Sequence, residues 1–383
     1  MRGPREADFT SRLRSAAVTA RVGTWLGVCF GTAFVTGLVS HYAQLPSPPV
    51  PFPTSPAWGY RVTQGLHVVS GTAAVPLLLV KLWTVYPRLF ARLPRRAGEL
   101  AVTVAERASV GVLVAAAVFQ LATGLANAAQ WYPWSFSFRG THYAVGWIAV
   151  GALVLHVAVK LPVIRRALGS DVESTVDDRP EATTPGALSR RGLLRTTWLA
   201  AGVAVLATAG STVPLLRRVS VLGVRSGDGP GGIPVNRSAA AARVTASATS
   251  PAYRLTLVHG DRQRTLTLAD LAALPQRTES LPIACVEGWS AGGDWTGVRL
   301  RDLLDLVGAP PGRDVHVESL QQRGPYRRTT LPANFADDGR TLLALRLAGE
   351  TLAIDHGYPA RLIAPDRPGV LQTKWVHRIE VLA

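Results

Sequence analysis

Five apolar runs, each about twenty residues long, dominate the first 216 residues, at about 22–44, 65–86, 108–130, 142–164 and 192–216. A helix needs about 20 such residues to cross the hydrocarbon of a bilayer, and inside lipid only a helix or a closed barrel satisfies its own backbone. Any one run could be a buried helix of a soluble core. Five in succession predict five membrane helices, the last of them, rich in Ala, Gly and Thr, being the least apolar.

The 383 residues carry 41 Lys and Arg against 25 Asp and Glu, a net charge of +16. Gathered on one soluble face, that excess would suggest nucleic acid; here the arginines fall in short clusters beside apolar runs, so topology explains them and no nucleic-acid partner is expected. Arg2, Arg5, Arg12, Arg14 and Arg21 precede or open the first run. Arg88, Arg92, Arg95, Arg96 and Arg107 separate the second from the third, and Arg165, Arg166, Arg190 and Arg191 precede the fifth. These segments are expected in the cytoplasm of a bacterial cell. The loops 45–60 and 131–138 have no basic residue and fit the outside, so the residues after about 217 are expected outside as well. The reading divides the chain into a four-helix domain (1–168), a cytoplasmic loop (169–191), a fifth, tethering helix (192–216), a Gly/Ser/Ala-rich lead-in (217–250) and a C-terminal domain (251–383).

The first four spans look duplicated. TGLVSHYAQLP at 36–46 parallels TGLANAAQWYP at 123–133, and HVVSG at 67–71 parallels HYAVG at 142–146, so His67 and His142 occupy equivalent places near the outer ends of spans two and four. Fourteen residues further along, about 21 Å of helix, the first half has Lys81 and the second has His156. Imidazole inside a bilayer is costly and usually functional. Two histidines from facing helices can hold a haem iron, with His41 as a third candidate; the same positions also suit histidines meeting water and headgroups. An inner haem at His156 would have Lys81 as its second ligand, a poor one. In helix count and histidine placement this part resembles the cytochrome b membrane subunits of bacterial oxidoreductases. That resemblance implies haem b on His67 and His142 and electron exchange with quinone.

From 251 onward the pattern changes to short alternating strands and amphipathic helices, an α+β domain. Cys285 ends an apolar strand in IACVEGWSAGGDW, ahead of a Gly/Trp-rich loop; it is expected to be a free thiol, since Cys29 lies in an apolar run. A lone cysteine in such a place is either a small buried hydrophobe or a soft ligand for a redox metal. No CxxC, HExxH or phosphate-loop pattern is present. C-V-E-x-W-S followed by W-x-G-x-x-L-x-x-L-L, with the closing DHGYPARLIAPDRPGVLQTKWVHRIEV, resembles the sulfite oxidase superfamily of molybdopterin enzymes, and most nearly its periplasmic methionine sulfoxide reductase branch. The resemblance implies molybdenum held by the pterin and by Cys285. It gives Asn236 and Arg237 pterin contacts, lets Arg361, Gln372, Thr373 and Lys374 hold the pterin phosphate, and leaves Tyr326 and Arg323 to face the substrate oxygen. His356 could approach the site, whereas His259, His316 and His377 read as surface positions. The upstream pterin-contacting segment of longer relatives is largely missing.

Together these readings give an all-α membrane bundle of four helices plus a tether, followed by an extracytoplasmic sulfite oxidase-like domain. The expected activity is oxygen-atom transfer to or from a small oxo compound, with reduction of a sulfoxide favoured; a sulfite-type oxidase, a haem-free anchored enzyme and a non-catalytic binding module are the alternatives. The stretch SRRGLLR at 189–195 resembles a twin-arginine signal. Such a signal in mid-chain suits a bundle placed in the bilayer by the general insertion machinery and a cofactor-loaded domain exported after folding, with Arg190 and Arg191 read by the twin-arginine machinery.

Overall fold

The computed structural model describes residues 3–223 and 229–382. Arg2 and the 224–228 portion of the expected lead-in lie outside the described residues. Among the described residues, five helices are long and apolar enough to cross a membrane: α1 (Ala16–Ala43), α2 (Gly59–Val85), α3 (Ala97–Ala128), α4 (Phe138–Gly169) and α5 (Arg190–Thr208). Each contains most of its expected span, and α1–α4 run several residues beyond it at their N-terminal ends. Hydropathy marks the apolar length, whereas the helical hydrogen-bond ladder continues into the flanking residues.

The chain forms two compact units, Met1–Gly37 with Leu66–Gly210 and Leu216–Gly223, and Leu38–Gly65 with Ser211–Leu215 and Val224–Ala383. Residues 38–65 and 211–215 thus group with the C-terminal residues as one compact unit.

In the first unit, α3 and α4 bury small residues, Ala116, Ala117 and Ala126 on one and Gly146 and Ala149 on the other. Small side chains let two helix backbones approach closely in lipid, where packing replaces the hydrophobic drive. Arg21 caps the end of α4 by donating to the carbonyls of Ala167 (3.0 Å) and Ser170 (2.7 Å). Those carbonyls have no partner within the helix, and a cation at a helix C-terminus also meets the favourable end of its dipole.

The second unit holds two five-stranded sheets. Taking strands in chain order, β1 (Leu255–His259), β2 (Arg262–Leu266), β5 (Val315–Ser319), β6 (Arg328–Leu331) and β10 (Val376–Val381) form one, in the order β2-β1-β10-β5-β6. The other has β3 (Gln276–Ala284), β4 (Ser290–Arg299), β7 (Leu342–Leu347) and β8 (Glu350–Thr351) in that order, with β9 (Arg361–Ile363) on β7. Only β1 and β10 among the first sheet's pairs run parallel. Alternation buries one face of each strand, and Leu255, Leu257, Val315, Val317 and Ile379 of the first sheet share a core with Val298, Leu343 and Leu362 of the second.

The segment 44–58 lies along this domain as a strap. Thr330 N donates to Pro46 O (2.7 Å), Asn334 Nδ2 to Phe52 O (2.8 Å) and Arg340 Nη2 to Thr54 O (3.0 Å). Where α2 begins, Asp366 accepts from Tyr60 N at 2.5 Å, so a carboxylate from the closing motif occupies the helix N-terminus, the end that favours negative charge.

Candidate functional site

Cys285 follows β3 and opens a tight connection to β4. Its N–H donates to Trp289 O (2.8 Å), and Gly288 N donates back to Cys285 O (3.0 Å). Gly288 has φ +83°, a left-handed conformation that a side chain would strain. The thiol is 1 % exposed. Around it stand Asn236, whose Nδ2 is 3.9 Å from Sγ, and Glu287, whose Oε2 is 3.9 Å from Sγ and also accepts from Trp289 Nε1 at 3.0 Å.

Burial pushes the Cys285 thiol up to about 12, and the Glu287 carboxylate adds to the effect. A thiolate therefore needs a cation at this place, and a coordinated metal supplies one. The surroundings are strongly basic. Burial brings Lys374 down to about 7, with the Arg361 charge acting in the same direction while Cys285, Asp355 and Glu287 oppose it. Arg361 falls to about 9 through burial, with Cys285 opposing. His356, 1 % exposed, is held neutral to about 4 by burial and then by Arg361 and Lys374. The charges of Cys285, Glu287, Arg361 and Lys374 act on one another, and those of Arg361 and Lys374 act on His356, so the five form one electrostatic cluster.

Arg361 Nη1 donates to His356 O (3.1 Å) and its guanidinium lies 5.2 Å from the Trp295 ring centroid. Its Nε is buried with no hydrogen-bond partner among the described residues, as are the Ser290 hydroxyl and Arg367 Nη1. Orphaned donors of this kind are rare in a finished interior and suit an anionic cofactor such as the pterin with its phosphate. Lys374 Nζ donates to Arg237 O (2.9 Å) and Asp355 O (2.7 Å), which ties the closing motif to the lead-in.

The other expected contacts fall differently. Gln372 uses its amide on Ala364 N, Ala364 O and Arg367 O at 2.8–3.2 Å, and Thr373 Oγ1 lies 3.3 Å from Thr329 Oγ1. Gln372 thus holds the closing loop to itself and Thr373 meets β6, so both side chains are engaged within the protein. Arg237 contributes its carbonyl, while its guanidinium is exposed, 3.5 Å from Ala241 O. Tyr326 donates to Gln44 O of the strap (3.1 Å), and Arg323 is exposed on the same loop; no described contact joins either to Cys285. Glu287, Trp289 and Arg367 lay in quoted motifs but had no role, because polarity in a loop does not say which way a side chain turns.

In the first unit the rings of His67 and His142 meet edge-on, their centroids 6.2 Å apart and their planes at 67°. Nδ1 of His67 is 2.8 Å from Ala33 O and 3.3 Å from Thr36 Oγ1, and Nδ1 of His142 is 3.1 Å from Thr123 Oγ1. Thr36-Gly37 and Thr123-Gly124 are the paired positions of the duplicated sequence, and a Cβ on either glycine would lie 3.1 or 3.6 Å from Cε1 of its histidine. With Nδ1 engaged, Nε2 is the nitrogen left for a metal. At the inner level Lys81 Nζ donates to Thr19 O (3.0 Å), and Lys160 pairs with Glu106.

Of the two adjacent arginines, Arg190 is buried inside the first unit and Arg191 is exposed. Arg190 is 3 % exposed; it donates to Arg12 O (3.1 Å), Val172 O (3.3 Å) and Ser174 O (2.5 Å) and pairs with Asp178. Arg191 pairs with Asp171 at 2.7 Å.

The family model for the oxidoreductase molybdopterin binding domain matches residues 242–383. The C-terminal domain is of this kind. Mitochondrial sulfite oxidase of Drosophila melanogaster is 32 % identical over 154 residues, covering 34 % of this chain and 27 % of its own length. Sulfite oxidase of Arabidopsis thaliana is 31 % identical over 153 residues, 31 % of this chain and 39 % of its own. The YedZ1 subunit of Azospira oryzae, whose name links it to protein-methionine-sulfoxide reductase, is 35 % identical over 115 residues, 30 % of this chain and 43 % of its own. The chain thus spans less than half the length of these relatives. An N-terminal segment of apolar helices is followed by an α+β, sulfite oxidase-like, molybdopterin-binding domain of the oxidoreductase type.

Proposed function

We propose that the chain is a membrane-anchored molybdenum oxidoreductase. It passes electrons from the quinone pool through a b-type haem on His67 and His142 to a molybdenum centre on Cys285, where a sulfoxide or similar oxo compound is reduced. The observation that carries the reading is the buried Cys285 thiol, with Asn236 and Glu287 3.9 Å away and the charges of Lys374 and Arg361 acting on it, inside the segment that matches the molybdopterin domain. When bound, the molybdenum cofactor supplies oxygen-atom transfer and the accompanying two-electron change. The chain's part is to compensate the cofactor's negative charge with Arg361 and Lys374, to keep His356 neutral, and to exclude water from the thiol.

The haem assignment is supported by geometry. Two imidazoles sharing one metal at about 2 Å each have centroids about 6 Å apart, in keeping with the 6.2 Å observed. In the same reading the N-terminus is cytoplasmic, the C-terminal domain is extracytoplasmic, and Arg190 with Arg191 is the signal for export after folding. The two sulfite oxidases among the relatives favour a second direction of flow, oxidation of a sulfite-like substrate with electrons passing to the membrane.

Molybdenum and haem analysis of the purified full chain tests the reading. Near-stoichiometric molybdenum, lost in Cys285→Ala, is expected; wild type without molybdenum overturns it. Dithionite-reduced spectra should show b-type bands that vanish in His67→Ala and His142→Ala. Reduced viologen consumed with a sulfoxide, against dye reduced by sulfite, decides the direction.

A further inference from the structure

The turn from Cys285 to Trp289 closes on itself through two backbone hydrogen bonds, yet two of its buried carbonyls have acceptor capacity left over. Both are taken by side chains from remote segments. Gln64 of α2 donates through Nε2 to Cys285 O at 3.3 Å, and Thr212, just past α5, donates its hydroxyl to Gly288 O. Gln64 is 6 % and Thr212 1 % exposed. The orientation of the Gln64 amide is set by its neighbours. Ser40 Oγ donates to Gln64 Oε1 at 3.0 Å, which turns Nε2 toward the turn; Ser40 in turn lies 3.3 Å from the Tyr60 hydroxyl, and Gln44 Nε2 donates to that hydroxyl at 2.6 Å. All of these residues are buried and belong to the same compact unit as Cys285.

The geometry points to Gln64 and Thr212 as positioning residues for the metal-ligating cysteine, an inference that rests on the molybdenum reading. A hydrogen bond on Cys285 O fixes the peptide plane after the cysteine, and one on Gly288 O fixes the left-handed residue that closes the turn. Between them they set the direction of the Cys285 Cα–Cβ bond and thus where Sγ meets a metal. A few tenths of an ångström there alter ligand overlap and cofactor tuning. The turn is therefore completed by residues from the segments that carry the membrane helices, and the 251–383 domain alone lacks both donors.

The test uses the full chain in a Cys29→Ser background, with Gln64→Leu, Thr212→Val and Thr212→Ser. In cofactor-free protein, alkylation of Cys285 by iodoacetamide should be at least about tenfold faster in Gln64→Leu and Thr212→Val, because a loosened turn exposes the thiol. Thr212→Ser, which restores the hydroxyl, should return to the wild-type rate. In cofactor-loaded protein the same two variants should shift the g-values of the Mo(V) resonance, and Thr212→Ser should not. Unchanged alkylation and resonance in both variants would overturn the proposal, as would Thr212→Ser behaving like Thr212→Val. If Gln64→Leu fails to fold, the Thr212 pair decides alone. A wild type that never takes up molybdenum sinks the functional reading, while the alkylation rates still decide whether these residues position the thiol.

Discussion

Asp366 occupies a place where two demands oppose each other. Burial pushes its carboxyl up to about 6, while the N–H groups of Tyr60 and Gly59 pull the other way. A carboxyl whose folded value lies above its unfolded one binds more proton in the folded state, so its contribution to stability falls as pH rises from about 4 to about 6 and stays low above that. Asp366→Asn cannot ionise but can still accept at the helix N-terminus. The variant should therefore gain on wild type in melting temperature as pH rises from about 4 to about 6 and keep that gain above; parallel pH profiles of the two proteins would contradict this. Three residues on, Gly369 brings the closing motif against the end of β3, where an added Cβ would lie 2.9 Å from Ala284 O and 2.9 Å from Ile283 Cγ2. Strand backbone cannot yield as a flexible side chain would. Gly369→Ala should cost about 1–3 kcal/mol in denaturant melts, with loss of molybdenum content following from displacement of the loop beside Cys285.

At the level of elements, the duplicated hairpins make the same promise twice: a Thr-Gly pair on one helix receives the histidine of the next. If a haem sits between His67 and His142, Thr123→Val removes the described partner of His142 Nδ1 and leaves the ring. Second-shell losses of this kind lower metal-group affinity by about 10–100-fold, so the haem-to-protein ratio after purification should drop while His67→Ala abolishes it. Thr36→Val should do less, because Ala33 O remains 2.8 Å from His67 Nδ1. The five helices and this histidine pairing were legible because length, arginine placement and a repeated motif each leave a linear trace in the sequence. The strap at 44–58 left none. It is bound mainly through its backbone carbonyls, which every residue has, by donors at 330, 334 and 340 that nothing in the sequence links to it. Placement divided in the same way: Cys285, read at the end of an apolar strand, does follow β3 as a buried residue, whereas the Gln372 side chain closes its own loop, since an amide's partner depends on backbone that folds back eight residues away.

For the whole molecule, the proposed function joins a bundle inserted in the membrane to a domain exported after folding, and in that proposal SRRGLLR is where the two routes of assembly meet. The folded state has Arg190 buried among the carbonyls of Arg12, Val172 and Ser174 and paired with Asp178, so the motif has a structural use besides any use as a signal. Lysine keeps the charge but loses the planar fork that serves several acceptors at once. Arg190→Lys with Arg191→Lys therefore weakens both roles, and loss of export alone would not separate them. Asp178→Asn does: it leaves the arginines in place for a transporter to read but strands one of them in the folded unit, which costs about 3–5 kcal/mol for a buried pair. In spheroplasts treated with protease, the C-terminal domain of Asp178→Asn should be as accessible per molecule accumulated as that of wild type, though less protein survives. The double lysine variant should keep its helices in the membrane and its C-terminal domain protected inside. Equal protection in both variants would mean that folding of this junction, and not recognition of the arginine pair, controls export; normal accessibility in the lysine variant would remove the signal altogether.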